Sequence, residues 1–299
     1  MPATPDLLVT EQLHKNVQDL ERAFNADVLT WHGPIQPPVD QWIRQAVEYR
    51  ARQRPRRKRL AMVLQTPGGY IETAERISNT LRRFYSWVAF VIPDSAMSAG
   101  IVLAMSGDEI WMDYFSILGP IDPQVERPDG RRGLIPALGY LIKYNDLVEK
   151  SKSGEMTAAE AAFFVQNFDA AELYYYEQAK NLSIALLKQW LVKYKFKDWK
   201  RTATRKVPVT SQMRRDRAEE IGAQLSNTEL WLSHGRGISM SILRNRLNLK
   251  IEDIEKNESV RESLESYHGL LMNYLRTIGA SGALHTGGFF MPLDARRQI

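Results

Sequence analysis

The sequence predicts an α/β fold built on a largely parallel sheet. Three observations carry that reading. Short apolar runs alternate with amphipathic stretches of about ten to fifteen residues, the signature of right-handed βαβ units. Two successive runs end in small residues, "TPGG" and "AMSAG", the punctuation expected where a strand gives way to a helix. A chain of 299 residues that is 44% hydrophobic can bury one sizeable core.

The elements come in order. Residues 6–25 place Leu7, Leu13, Val17, Leu20 and Phe24 at helical spacing, an N-terminal helical appendage covering residues 1–27. "DVLTWHGPI" reads as a short strand. "PPVDQWIRQAVEYRARQ" reads as a helix with proline at its start and Val39, Trp42, Ile43, Ala46 and Val47 on one side. "RLAMVLQTPGG" is a buried strand ending in two glycines, and a helix is expected from Ile71 to Phe84. "WVAFVIPDSAMSAG" repeats the unit, with Ser98 opening the next helix, and "DEIWMDYF" supplies a further strand with its turn at "LGPIDP". From Thr157 to Tyr194 the pattern becomes one long helical arm whose stripe runs through Ala161, Phe164, Phe168, Ala171, Tyr175, Gln178, Leu182 and Leu186. That stripe is either core packing or a subunit interface. A helix is expected over residues 211–225, and "LWLSHGRGISMSILRNRLNLKI" reads as strand, glycine turn and short helix. A last amphipathic helix covers residues 254–278, and the glycine-rich tail "GASGALHTGGFFMPLDARRQI" reads as mobile or partner-dependent. The central domain then spans residues 28–254, with residues 255–299 as C-terminal helix and tail.

Composition excludes several classes. There is no cysteine, so disulfides, zinc-thiolate sites and a thiol nucleophile are ruled out. No run of eighteen uncharged apolar residues occurs, and Asp6, Glu11, Lys15, Asp19, Glu21 and Arg22 punctuate the start, which argues against a membrane span or secretory signal and favours a cytoplasmic location. The net charge of +5 comes from "RARQRPRRKR", residues 50–59, without which 33 basic residues face 35 acidic ones. This run is a solvated helix end or an anion-docking patch, and nucleic acid is not the expected partner. His14, His32, His268 and His285 are scattered without metal-ligand spacing, so no metal or cofactor is expected. "TPGG" lacks the Gly-Lys-Ser/Thr continuation of a phosphate loop.

Acyl chemistry needs an activated nucleophile, donors for an oxyanion and a base. Gly68 and Gly69, just past a buried strand, leave a backbone that a carbonyl oxygen can approach. Ser98 lies at the next strand-to-helix junction, hence at the same carboxyl edge of a parallel sheet, and the Ala99 amide at the helix start offers a second donor. Ser98 is thus a candidate nucleophile, although serine before Ala-Gly is also an ordinary helix N-cap. His234 in "LSHGRG" is a candidate base, its flexible glycine turn able to line the same cleft.

"TPGG", "AMSAG", "DEIWMD" and "LGPIDPQ", in this order and spacing over residues 28–126, resemble the serine dehydrogenase proteinase family. That family lies in the ClpP/crotonase superfamily, with signal peptide peptidase A and the Clp protease proteolytic subunit. "LSHGRGISMSILRNRLNLKI" is a weaker echo of its closing segment. The resemblance implies a repeated ββα core, Ser98 as nucleophile, and Gly68 and Gly69 at the oxyanion hole. Where the Clp-type histidine would fall, this chain has Asp122 in "LGPIDPQ" and no histidine. "EKSKSGEMT" instead resembles the lysine segment of signal peptide peptidase A, which implies a Ser98–Lys152 dyad, with Lys150 and Lys143 as weaker substitutes. A lysine is a base near neutrality only if burial or neighbouring cations lower its pKa. The expected activity is a serine endopeptidase on polypeptide substrates, in a homo-oligomer and with room for an activating protein partner. The alternatives are a catalytically inactive scaffold or effector subunit of the same fold, and a crotonase-type acyl-CoA enzyme that needs no serine.

Overall fold

The computed structural model describes residues 4–53, 57–121, 124–126, 134–202, 204–231 and 236–294. The chain opens with helix α1 (Pro5–Phe24), whose N-cap Thr4 hydroxyl accepts from the Leu7 amide and whose C-cap Asn25 is left-handed. Strand β1 (Asp27–His32), helix α2 (Val39–Arg52), β2 (Arg59–Gln65), α3 (Ile71–Phe84), β3 (Trp87–Ile92), the short β4 (Ser95–Ala96), α4 (Ala99–Ala104) and β5 (Glu109–Met112) then build the βαβ core. Beyond β6 (Ile117–Leu118), β7 (Gln124–Glu126) and β8 (Leu134–Pro136) comes a helical excursion of α5 (Ala137–Ser153), α6 (Ala158–Asn167) and α7 (Ala170–Trp190), closed by a π-helical turn at Leu191–Lys195. Helices α8 (Ser211–Leu225) and α9 (Thr228–Trp231), strand β9 (Ile238–Ser239), α10 (Met240–Asn245), β10 (Glu252–Asp253), α11 (Glu258–Ile278) and the hairpin β11 (Gly282–Thr286) and β12 (Phe289–Leu293) complete it.

The main sheet has the order β10-β5-β3-β2-β1-β11-β12. Its β10 to β1 part is parallel throughout, and β11 and β12 are antiparallel additions. Both faces are covered, which is why β2 and β3 read as unbroken apolar runs rather than alternations. Leu60, Met62, Leu64, Phe90 and Ile92 point into one core shared with α2, α3, α4 and α7. Val28, Ala61, Val63 and Val91 point into the other, under α1 and α11. Each such large side chain contributes about 1.5–3 kcal/mol by leaving water.

The structure departs from the sequence reading in four places. Residues 282–293 of the tail form a hairpin: Ala283, Leu284, His285 and Thr286 are fully buried, and β11 pairs with β1 from Leu29↔Thr286 to His32↔Ala283. A side chain at Gly282 would overlap the His32 carbonyl, so glycine there permits close pairing rather than mobility. The single long arm is broken at Phe168, which is extended, and Asp169 caps α7 by accepting from the Ala171 and Glu172 amides. The break resets the helical phase, so α7 buries Tyr176, Ala179, Ser183, Leu186, Leu187 and Trp190 while Tyr175 of the expected stripe is exposed. "LW" at residues 230–231 ends a helix and not a strand. The basic run is partly absorbed: Arg50 pairs with Glu21 (2.6 Å) and Asp27 (3.0 Å), and Arg57 donates to the Glu21 and Ala26 carbonyls. Among the described residues no helix is long and apolar enough to cross a membrane.

Candidate active site

Ser98 sits between β4 and α4, at the carboxyl edge of the parallel strands. Its backbone is at φ 51°, ψ −117°, and the residue is buried. A side chain at positive φ is held there only where its surroundings over-determine it, and here they do. Thr66 fixes the incoming strand, its amide donating to the Ser95 carbonyl (2.9 Å) and its carbonyl accepting from Met97 (3.0 Å). On the outgoing side Gly100 donates to the Met97 carbonyl (2.7 Å) and Ile101 to that of Ser98 (3.2 Å). The helix start is as close as small residues allow, since a Cβ at Gly100 would lie 2.5 Å from Thr66 Cγ2.

The "TPGG" turn faces this serine. Gly68, at φ 104°, is so near that a Cβ on it would lie 2.7 Å from Ser98 Cβ and 3.3 Å from Ser98 Oγ. Its amide donates to Thr66 Oγ1 (3.0 Å). Gly69, at φ 148°, is bracketed by Ile35, whose amide donates to the Gly68 carbonyl (2.8 Å) and whose carbonyl accepts from Tyr70 (2.8 Å). In a parallel bridge of that kind the Gly69 amide itself faces away from Ile35. A side chain at Gly69 would overlap the Ile35 carbonyl. Gly119, in "LGPIDP", walls the serine from behind: a Cβ there would lie 3.0 Å from the Ser98 nitrogen. The structure places Gly68, Gly69, Ser98 and Ala99 at one strand edge; sequence reasoning did not single out Gly119 or Thr66.

The basic candidates are arranged differently. Lys152 is on the last turn of α5 with its side chain 67% exposed, paired with Glu149 at 2.8 Å. Among the described residues nothing provides the burial that would make it a base at neutral pH. Lys150 is bound to Glu160 (2.7 Å), which raises its pKa, and Lys143 to Asp146 (2.8 Å). His234 and Asp122 lie outside the described residues.

The four histidines scattered in sequence gather on the α1/α11 side of the sheet. His14 Nδ1 and His285 Nε2 lie 3.0 Å apart, and Tyr267 Oη is 2.9 Å from His285 Nδ1 while donating to Thr30 Oγ1 (2.8 Å). Burial pushes His285 down to about 3, with the neighbouring His14 adding to the fall. Nearer the glycines, the Gln65 carboxamide bridges two elements: its oxygen is 2.8 Å from His268 Nε2, and its nitrogen donates to Asp94 Oδ2 (2.6 Å). Burial lowers the pKa of His268 and of His32, whose Nδ1 is buried without a hydrogen-bond partner among the described residues. His32 and Gln65 are register partners at the ends of β1 and β2, the one sequence signal that could have joined them. Among the described residues no group of three or more His, Asp or Glu could hold a metal ion.

The fold and this edge define an α/β protein with a mainly parallel, ClpP-like central sheet and a glycine-walled serine at its carboxyl end. Residues 43–132, less than a third of the chain, match the model of the ClpP-like SDH-type serine proteinases, the family that the four motifs resemble. That span contains Gly68, Gly69, Ser98, Ala99 and Gly119 and ends before α5. Two uncharacterized proteins of Methanocaldococcus jannaschii are similar: one is 31% identical over 138 residues, 43% of this chain and 46% of the relative. The other is 35% identical over 89 residues, 30% of this chain and 28% of the relative. The chain therefore matches less than half the length of either.

Proposed function

We propose that the protein is a serine endopeptidase whose nucleophile is Ser98. The observation that carries this reading is the strained Ser98 backbone, pressed against a glycine at a strand-to-helix turn. Such strain persists only where the surrounding structure over-determines it, and it clusters at active sites. Ser98 Oγ gives its proton to the base as it attacks the peptide carbonyl carbon, and the negative charge that develops on oxygen is met by the Gly69 and Ala99 amides. Gly68 contributes differently from its neighbour: its amide is engaged by Thr66, and its missing side chain leaves room for the reacting carbonyl. The tetrahedral intermediate collapses as the C–N bond breaks, the leaving amine takes the proton from the base, and water hydrolyses the acyl-enzyme to restore Ser98.

Lys152 is the proposed base. Its exposure and its ion pair with Glu149 mean that it acts only once a second copy of the chain, or an activating partner, covers the end of α5 and strips its water. The same exposure favours the second reading, a catalytically inactive subunit of this fold. A crotonase-type reaction has less support, since it gives no reason for a strained serine.

Intact-mass measurement after incubation with a small fluorophosphonate tests the reading, on wild type, Ser98→Ala and Lys152→Met. An adduct lost in both variants supports the dyad. An adduct that survives Lys152→Met transfers the base role elsewhere. No adduct on wild type at any oligomeric state removes the peptidase reading and leaves the inactive subunit.

A further inference from the structure

A cavity lies at the opposite edge of the sheet from Ser98. It has a volume of about 670 Å³ and opens where β3 and β5 begin, at Trp87, Asp108 and Glu109. Its far wall is formed by Tyr194 and Lys195 of the π-helical turn together with Phe196 and Trp199 just beyond it. The strand length of β3, six residues, sets this cavity about 20 Å from the Ser98 edge.

The cavity combines aromatic walls with one unmatched cation among the described residues. Arg59 stacks over Trp87 (3.5 Å) and Arg82 over Tyr194 (3.8 Å), which fixes one face of each ring. Phe196 and Trp199 pack on each other with centroids 5.7 Å apart. Of the other charges at the rim, all but Asp198 are spoken for. Asp108 is held by Arg82, Lys197 and the Val88 amide, Glu109 accepts from Trp111 Nε1 (3.0 Å), Lys250 pairs with Glu252, and Arg217 binds Glu220 and the Leu247 carbonyl. Lys195 differs. Among the described residues its ammonium makes no ion pair and no hydrogen bond, although it lines the cavity.

We infer that this cavity binds a small aromatic carboxylate, with Lys195 as the counter-ion. Pockets of a few hundred to about 1,000 Å³ with an apolar lining and a few fixed polar groups are the usual form of small-molecule sites. One unmatched cation selects a monoanion, because a second negative charge would face Asp108 and Glu109 unpaired. The ring walls select a flat body. Burial lowers the Lys195 pKa to about 8 against the opposing pull of Glu252, Glu109 and Asp108, so the free site keeps its charge at neutral pH and loses it as pH rises through about 8.

The test uses the intact protein and isothermal titration calorimetry with 2-naphthoate, and with 2-naphthylmethanol as its neutral counterpart. The expected result is saturable binding of the acid, at least about tenfold tighter than the alcohol, as a charge-assisted hydrogen bond implies. Lys195→Met removes that preference and leaves alcohol binding within about twofold, while Lys195→Arg keeps it. Acid binding to wild type weakens as pH rises through about 8, and the Lys195→Met profile is flat there, which separates Lys195 from Asp108, Glu109, Asp198, Lys197, Lys250 and Arg217 at the same rim and from Glu252 paired with Lys250. Equal binding of acid and alcohol, or no saturable binding, overturns the inference. If Lys195→Met does not fold, the acid-to-alcohol ratio and pH profile of the wild type decide the matter. Protein labelled at Ser98 should bind 2-naphthoate unchanged; loss of binding there would place the probe in the serine cleft and overturn the inference as well.

Discussion

Gly68→Ala tests whether the glycine wall exists for the serine's chemistry. The added Cβ would stand 2.7 Å from Ser98 Cβ and 2.9 Å from the Met97 carbonyl oxygen. Carbon atoms in contact settle at about 3.5–4.0 Å, so the turn and the serine must part by about 1 Å. A displacement of that size at a reacting centre costs about a hundredfold in rate, or about 2.7 kcal/mol of barrier. Alanine at φ 104° adds a backbone cost of about 1–3 kcal/mol to stability, which lowers the melting temperature by a few degrees without unfolding the chain. The assay is the second-order rate of fluorophosphonate labelling, read by intact mass beside a thermal melt. Gly279→Ala is the control, since Gly279 is also left-handed (φ 64°) but ends α11, which packs in the core on the other face of the sheet from α4. The control should lose stability and label at the wild-type rate. Labelling of Gly68→Ala within about threefold of wild type would refute the idea that this glycine serves the nucleophile.

Three other outcomes are expected from the same geometry. Ending the chain at Ser281 removes β11 and β12, strips β1 of its antiparallel neighbour and uncovers Ala283's side of the α1/α11 core, so the truncated protein should be found insoluble or without a cooperative melt; a wild-type melt would contradict the assigned pairing. Because His285 is held at about 3 in the fold and titrates near 6.5 when unfolded, the unfolded state binds more protons between those values. Stability is therefore full above about pH 6.5 and declines as pH falls toward 3, by up to about 1.4 kcal/mol per pH unit; urea midpoints at pH 7 and pH 4.5 should show His285→Gln with a flatter slope than wild type. Gln65→Leu leaves His268 and Asp94 without their shared partner and should cost about 2–4 kcal/mol, with slower labelling of Ser98 because Asp94 sits on the turn that leads to it; a melting temperature within one degree or so of wild type would show that this bridge holds nothing.

What the sequence made legible was local. The parallel strands, the full extent of α3 and α8, and the meeting of Gly68, Gly69 and Ser98 depend on apolar runs and turn sterics read over about thirty residues. What it hid depends on partners far along the chain. Residues 282–286 look like tail because "GALHT" has little apolar pattern, and only β1, some 250 residues earlier, gives His285 and Thr286 a place to be buried. Thr286 is satisfied by the Val28 carbonyl (2.6 Å) and His285 by Tyr267 and His14, none of them sequence neighbours. The phase of α7 was lost to one capping aspartate, Asp169, which a periodicity count steps over.

The same distinction separates the nucleophile from its base. A serine is positioned by the backbone on either side of it, and that backbone is written in "TPGG" and "AMSAG". A lysine becomes a base by losing water, which is a property of whatever lies over it. In this chain Lys152 keeps its water and a carboxylate partner, so the segment that resembles a dyad lysine carries the residue without its environment. If the peptidase reading holds, the step that activates the protein is the covering of the end of α5, and labelling of Ser98 should then depend on protein concentration or on an added partner while the geometry around Gly68 stays as it is.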